Sequence, residues 1–232
     1  MRAPISVIIP VLDAEAGLPA TLGALGEGLE AGLIRELVLS DGGSRDRTRD
    51  IAESAGAIWT EGAPGRGAQI ARGVAAAGGD WLLILHADTV LETGWTAAVQ
   101  AHLTQASGKA AHGDLAFAAK GLAPRLVAGW ANLRSRLLGL PYGDQGLLIE
   151  AALLEELGGY PELPLMEDVA MARKLRGRLR RGGFTALTSA RRYETEGWLR
   201  RGSKNLALLL RYFCGADPHD LARAYRPSRR RS

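Results

Sequence analysis

A single cysteine, Cys214, stands in 232 residues. No internal disulfide can form, which excludes a disulfide scaffold, argues against a cysteine-based metal centre and favours a reducing compartment. Long apolar runs are missing as well. Nowhere do 18 consecutive apolar residues occur, so no bilayer-spanning segment is expected. The opening Met1-Arg2-Ala3-Pro4 leads into only five apolar-leaning residues before Pro10, too few for a signal-peptide core. A soluble, cytoplasmic protein is the expectation. Internal repeats and low-complexity linkers are also absent, so the two halves of the chain are expected to share one core.

What is present is the balance of an ordinary globular protein, with 47% apolar and 23% charged residues. Thirty glycines, separated by apolar runs, point to many tight strand-to-helix turns. The net charge of +4 conceals an asymmetry. Residues 1–172 carry 12 Lys+Arg against 21 Asp+Glu, and residues 173–232 carry 17 against 4. A basic tail of this kind is expected to meet something anionic: lipid head groups, phosphates or the acidic body of the protein itself.

Ile5-Ser6-Val7-Ile8-Ile9-Pro10 reads as a buried parallel strand. Glu36–Ser40, Ala57–Thr60 and Trp81–Leu85 read as further strands, with helices at about Leu18–Ala31, Asp46–Ala55 and Gln69–Ala77. This alternation predicts βαβ units and a parallel sheet. In the second half, Gly113–Ala119 and Gly146–Ile149 read as strands, and Leu126–Leu138, Ala151–Leu157 and Asp168–Arg181 as helices. The segment Gly197–Tyr225 mixes leucines with arginines, and disorder is expected after Pro227.

Ligands of open α/β sheets bind beyond the carboxyl ends of the strands. The first strand delivers Pro10 and Asp13 there, the second Asp41-Gly42-Gly43-Ser44, and the fourth His86-Ala87-Asp88. Asp41 can accept bonds from a base N–H or ribose hydroxyls, although Asp-Gly-Gly-Ser is equally ordinary turn chemistry. Alternate residues of an extended chain point the same way, so His86 and Asp88 can share one metal ion; the bland alternatives are a solvent-edge histidine and a capping aspartate. Arg66, in Gly65-Arg66-Gly67-Ala68-Gln69 at the start of a helix, suits a pyrophosphate. That loop is neither a P-loop nor a dinucleotide fingerprint. Glu167-Asp168 opens another helix, where the macrodipole favours acids without any function.

Together these residues resemble the family 2 glycosyltransferases. Ser6–Pro10 resembles the family's opening strand, Asp41–Thr48 its Asp-Gly-Ser-x-Asp-x-Thr motif, and Gly65–Gln69 its Gly-Arg-x-x-Gln segment. His86-Ala87-Asp88 stands in place of the family's Asp-x-Asp, and Glu167-Asp168 in place of its Glu-Asp pair. Leu85–Thr89, Gly143–Gly146 and Pro164–Val169 resemble stretches of a small bacterial subgroup associated with radical-SAM and selenium-domain proteins. The resemblance spans residues 4–225.

It implies an α/β GT-A fold with a mostly parallel sheet flanked by helices, and transfer of a sugar from a nucleotide-diphosphate donor with inversion. Asp41 is then expected to hold the base or ribose, with Pro10, Asp13, Gly43, Gln69 and Ala87 also around the donor. Arg66 is expected on the phosphates, and Asp88, with His86, on a Mn²⁺ or Mg²⁺ ion. Asp168 is expected as general base, with Glu167 either orienting it or contacting the acceptor, and Asp144, Gln145 and Trp198 on the acceptor side. His86 departs from the family's first acidic position, and Asp13 and Ala14 from its usual Asn and Glu. The expected organisation is a catalytic domain at 1–196, with a donor half at 1–110 and an acceptor half at 111–196, followed by a basic, partly helical tail at 197–232.

Two other classes compete. A sugar nucleotidyltransferase needs a Gly-rich basic loop directly after the first strand, which residues 10–15 lack. A degenerate, membrane-attached binding or scaffold protein is motivated by His86 and the basic tail, but Asp88 and Asp168 are both kept. Leu206–Phe213 reads either as a core helix or as an interfacial helix on anionic lipid, the latter suiting a lipid-linked acceptor and a peripheral site on the inner membrane face. No nucleic-acid partner is expected.

Overall fold

The structure is a computed structural model that describes residues 3–105 and 108–225. The stretch after Pro227, expected to be disordered, lies outside the described residues. Eight strands form one sheet: β1 (Ile5–Val11), β2 (Ile34–Asp41), β3 (Ile58–Glu61), β4 (Trp81–Ile84), β5 (Thr89–Leu91), β6 (Ala110–Phe117), β7 (Leu147–Glu150) and β8 (Leu179–Thr188). Their spatial order is β3-β2-β1-β4-β7-β6-β8-β5. The pairs β1–β2, β2–β3, β1–β4 and β6–β8 are parallel, while β7 runs antiparallel to both β4 and β6, and β5 antiparallel to β8.

Strand alternation divides the core between the two faces of the sheet. Ile5, Val7, Ile9 and Val11 of β1 join Leu39, Leu83 and Leu85 on one face, where α1 (Leu18–Glu30) and α4 (Trp95–Gln105) contribute Leu18, Leu25 and Trp95. Ile8, Val38, Leu82 and Ile84 turn to the other face and meet Ile70 of α3 (Arg66–Ala76) and Met171 of α7 (Glu167–Lys174). Burial on both faces is the reason these strands are near-continuous apolar runs.

The remaining helices are α2 (Thr48–Ser54), α5 (Leu122–Leu138), α6 (Ala151–Glu156), α8 (Arg191–Glu196), α9 (Trp198–Phe213) and α10 (Pro218–Tyr225). The segment 197–225 is docked on the domain. Leu208 and Leu209 of α9 and Leu221 of α10 are buried with Leu140, Met166 and Val169. The buried Arg201 pairs with Glu196 at 3.0 Å and lies over the Tyr225 ring.

Two expectations are corrected. The helix expected over Asp168–Arg181 ends at Lys174, and residues 179–188 form β8, the longest strand. Its buried positions are Gly182, Phe184, Ala186 and Thr188, mostly small residues, so the alternation carries little hydrophobic signal. Asp88 does not cap a helix, because Thr89 begins β5.

The chain leaves β1 for β2 and β3 on one side and returns to β4 on the other. β1 and β4 flank this topological switch, and beyond the carboxyl end of β4 a crevice is lined by Ile84, His86, Tyr142, Gly143 and Asp168. At Gly67, in the first turn of α3, an added Cβ would stand 2.3 Å from the Pro161 carbonyl oxygen and 2.7 Å from the Leu163 nitrogen. Glycine is therefore what lets α3 reach the loop leading to α7. Gly67→Ala is expected to destabilise the fold by about 1–3 kcal/mol, because the neighbours are backbone and cannot swing aside. A urea midpoint equal to wild type would show that the contact yields freely.

Candidate active site

The first support of the crevice is a latch between two loops. The Asp13 N–H donates to Ser44 Oγ (2.9 Å), Ala14 N–H to Thr48 Oγ1 (2.8 Å) and Glu15 N–H to Asp46 Oδ2 (2.9 Å). In return, Arg45 N–H donates to Asp13 Oδ1 (2.8 Å) and Arg47 N–H to Glu15 Oε2 (3.0 Å). Asp13 holds a left-handed backbone, φ 47°, to do this. Asp41 is buried and folds into its own turn, accepting from Gly43 N–H (2.8 Å), Ser44 N–H (2.9 Å) and Ser44 Oγ–H. Turn shaping is thus its visible work, and Gly43 serves the same turn. Pro10 sits at the end of β1, paired in register with Ser40.

Gln69 is buried and donates to the Val11 carbonyl (2.7 Å) and the Ser40 carbonyl (2.9 Å), while its Oε1 accepts from Gly65 N–H (3.2 Å). It fastens the start of α3 to the ends of β1 and β2. The carbonyl of Ala87 accepts from Thr21 Oγ1 at 2.9 Å, tying the β4 exit to α1.

The charged residues converge across the crevice. Arg66 Nη1 contacts Glu167 Oε1 at 3.3 Å, joining the first residues of α3 and α7. The Glu167 side chain is 2% exposed. Burial and the neighbouring Asp168 charge push its carboxyl up from the ordinary range, while Arg66 opposes this. Asp168 Oδ2 accepts from Gly143 N–H (2.8 Å) and Oδ1 from Val169 N–H (2.7 Å), which fixes its orientation toward the loop 141–146. The residue before the pair, Met166, has φ 64°, a strained conformation for a residue with a Cβ. Asp13 and Met166 are the two non-glycine residues with positive φ among the described residues.

His86 lines the crevice with Tyr142, Gly143, Tyr160 and Asp168. Burial, then the charges of Arg66 and Arg192, hold its pKa well below the usual value, so the imidazole is neutral. Its Nε2 lies against Gly143, where an added Cβ would come within 2.5 Å. Asp88 is exposed on the rim, and its carboxylate has no hydrogen-bond partner among the described residues. Asp144 has a buried Oδ1 without a partner, and its pKa is raised to about 6 by burial, against Arg134, and by Asp168 and Asp88.

The donor set fits a divalent ion only in part. Among the described residues no three His, Cys, Asp or Glu side chains are grouped to hold one. The exposed Asp88 carboxylate and the neutral His86 suit the common arrangement in which one or two protein ligands share Mg²⁺ with phosphate oxygens.

On the acceptor side, Gln145 differs from the expected contact. It is fully buried, accepting from Ser135 Oγ–H (2.7 Å) and Tyr142 N–H (3.2 Å) and donating to the Gly113 carbonyl (3.0 Å), so it braces the loop. Trp198 stacks on Tyr193 at 4.9 Å and meets Phe117 edge-on at 5.0 Å, on the α8 side of the crevice. Four residues here escaped the sequence reading. Arg134 is buried, donates from Nε to the Leu140 carbonyl (2.9 Å) and lies 3.5 Å over the Tyr142 ring. Burial, with the Glu167 and Asp168 charges, raises the Tyr160 phenol. Arg192 adds positive potential at His86.

Residues 6–119 match the model of the family described as Glycosyl transferase family 2. A stretch of 98 residues is 39% identical to the TPR repeat-containing protein Synpcc7942_0270 of Synechococcus elongatus, covering 40% of this chain and 23% of that protein. TarS from S. aureus superposes with a TM-score of 0.61 at 15% identity, over 88% of this chain and 39% of its own. Glucosyl-3-phosphoglycerate synthase from Mycobacterium tuberculosis, solved with Mn²⁺, UDP and glucosyl-3-phosphoglycerate, gives 0.55 at 21% identity, over 80% of this chain and 70% of that one. The structural likeness is one of fold, the GT-A arrangement. This chain spans less than a quarter of the length of the first relative and about two-fifths of TarS.

The raised Asp144 carboxyl has a consequence for stability. Its pKa is 3.8 in the unfolded chain and about 6 in the fold. Below about pH 4 both states hold the proton; between about pH 4 and 6 only the folded state does, so stability falls as pH rises through that window. Asp144→Asn lacks this dependence. Its stability relative to wild type is expected to improve by about 2–3 kcal/mol from pH 4 to pH 7 in urea titrations. A pH-independent difference would remove Asp144 from this charge cluster.

Proposed function

We propose that this protein is a family 2 glycosyltransferase that takes a sugar from a nucleotide-diphosphate donor and places it, with inversion, on an acceptor hydroxyl. The observation that carries the reading is the gathering of Arg66, His86, Asp88, Asp144, Glu167 and Asp168 around one crevice at the β1/β4 switch. The family match over residues 6–119 and the shared fold support it. TarS has been solved with UDP and with UDP-GlcNAc, which supports a nucleotide-sugar donor. The site segments 85–89, 143–146 and 164–169 support the narrower bacterial subgroup.

The donor lies along the latched loops. Their rigidity fixes the nucleotide before reaction, and Asp13 and the Asp41 turn border it. Arg66 commits one N–H to Glu167, and its guanidinium has further donors to turn to the diphosphate. A Mn²⁺ or Mg²⁺ ion held by Asp88, with His86 beside it, would neutralise the departing diphosphate.

The acceptor enters beside the 141–146 loop. Asp168 takes the proton of the acceptor hydroxyl as its oxygen forms the new bond to the anomeric carbon. The bond from that carbon to the diphosphate breaks on the opposite face, and its electron pair leaves with the diphosphate. Glu167 holds Arg66, and burial disfavours its charge. The adjacent acids therefore divide support and proton transfer.

Calorimetric titration with UDP, GDP and dTDP, with and without Mn²⁺ or Mg²⁺, tests the donor site. One nucleotide is expected to bind with metal-dependent affinity that Asp88→Ala abolishes; no binding of any nucleotide overturns the reading. Asp168→Asn is expected to keep nucleotide affinity and lower turnover by roughly 10²–10⁴-fold. Unchanged turnover would move the base elsewhere.

A further inference from the structure

Helix α5, 17 residues long, has two apolar faces, and the domain covers only one of them. The covered face is made of small residues: Pro124, Ala128, Ala131 and Ser135 are buried, and they let the helix lie close on β6. Leu122, Leu126, Trp130, Leu133 and Leu137 lie between 46% and 73% exposed. At about 100° per residue these five fall within an arc of about 80°, opposite the buried face. A helix that rested only on its own domain would carry polar residues there.

We propose that this outer face of α5 docks on the surface of an anionic lipid bilayer. Charge favours that occupant. Sequence 122–138 has no acidic residue; Arg125 and Arg136 lie outward, Lys120 precedes the helix, and Arg134 is buried on the inner side. Arg125 and Lys120 are exposed and make no ion pair among the described residues; Arg136 pairs with Asp114 at 3.0 Å. A row of leucines around one tryptophan, bordered by cations, is the composition of an in-plane interfacial helix.

Area argues against a second copy of the chain. The stripe is about 25 Å long and roughly 10 Å wide, near 250 Å², whereas a stable dimer covers about 800 Å² per partner. Pairing two such stripes would also bring like charges together. The expectation from sequence put a lipid contact on Leu206–Phe213; the structure buries Leu208 and Leu209 of that segment and exposes α5 more fully. The inference is independent of the transfer reading, because it concerns the face of α5 turned away from the crevice.

The test uses the full chain with vesicles of phosphatidylcholine alone, and of phosphatidylcholine mixed with phosphatidylglycerol. Wild type is expected to sediment with the mixed vesicles at least about tenfold more than with neutral ones, at low salt. The variant Leu126→Ser/Trp130→Ser/Leu137→Ser alters only exposed side chains, and its binding is expected to fall by at least about tenfold. Brominated lipid is expected to quench wild-type tryptophan fluorescence more than that of Trp130→Phe, a readout that does not depend on the triple variant folding. Absence of wild-type sedimentation, or equal binding by the triple variant, overturns the proposal. A wild-type dimer in gel filtration that the variant converts to monomer assigns the face to self-association and also overturns it.

Discussion

The contact between Arg66 and Glu167 is the constraint on which the crevice depends. It spans 101 positions of sequence and ties the first turn of α3 to the first turn of α7. A carboxylate as buried as Glu167 is tolerable only with a partner at hand, and a guanidinium serves because it stays charged and has donors to share. The same cation reaches further through its field: it opposes the rise at Glu167 and Asp144 and helps keep His86 neutral. Removing it would unsettle these three ionisable groups at once. The close approach that makes the pair possible rests on Gly67, where the helix touches the 161–163 backbone.

Around this pair the two halves are stiffened by different means. Five hydrogen bonds between the loops at 13–15 and 44–48 make one body of two turns, and Gln69 of α3 binds the Val11 and Ser40 carbonyls at the strand ends. In the second half of the chain, Gln145 does the equivalent work from inside. It binds Ser135 of α5 and the Gly113 carbonyl of β6, so the loop carrying Asp144 hangs from a helix and a strand together. Strain at Asp13 is held by the loop network, and Met166 is buried among Leu140, Val169 and Leu208; backbone strain persists only where its surroundings over-determine it.

Much of the donor half was legible because its physics is local. β1, β2 and β4 are dense apolar runs that end in Pro10, Asp41-Gly42 and His86, and a strand buried on both faces leaves that trace. The acceptor half was less legible because its determinants are distant contacts. The alternation of β8 runs through Gly182 and Ala186 and is faint in hydrophobicity, and β5 has only three residues. Gln69 and Gln145 read as ligand contacts because an amide in a motif looks the same whether its partner is a nucleotide or a carbonyl of its own chain. Arg134 was not singled out from the sequence, since nothing in its neighbours reveals that α5 turns it inward.

Glu167 and Asp168 show why a motif of adjacent acids can carry two tasks. Consecutive residues at a helix start point about 100° apart, so one carboxyl goes under the site while the next faces the crevice. Burial makes charge expensive for Glu167, and its observed partner is Arg66. Asp168, partly exposed, is aimed by two backbone N–H groups, one from its own helix and one from Gly143. The donor from Gly143 couples the aim of the acid to the loop 141–146. That loop in turn depends on Gly143 having no side chain, because the His86 ring fills the space a Cβ would take. The orientation of Asp168 and the packing of His86 are therefore set by the same backbone, which links the acceptor side of the site to the end of β4.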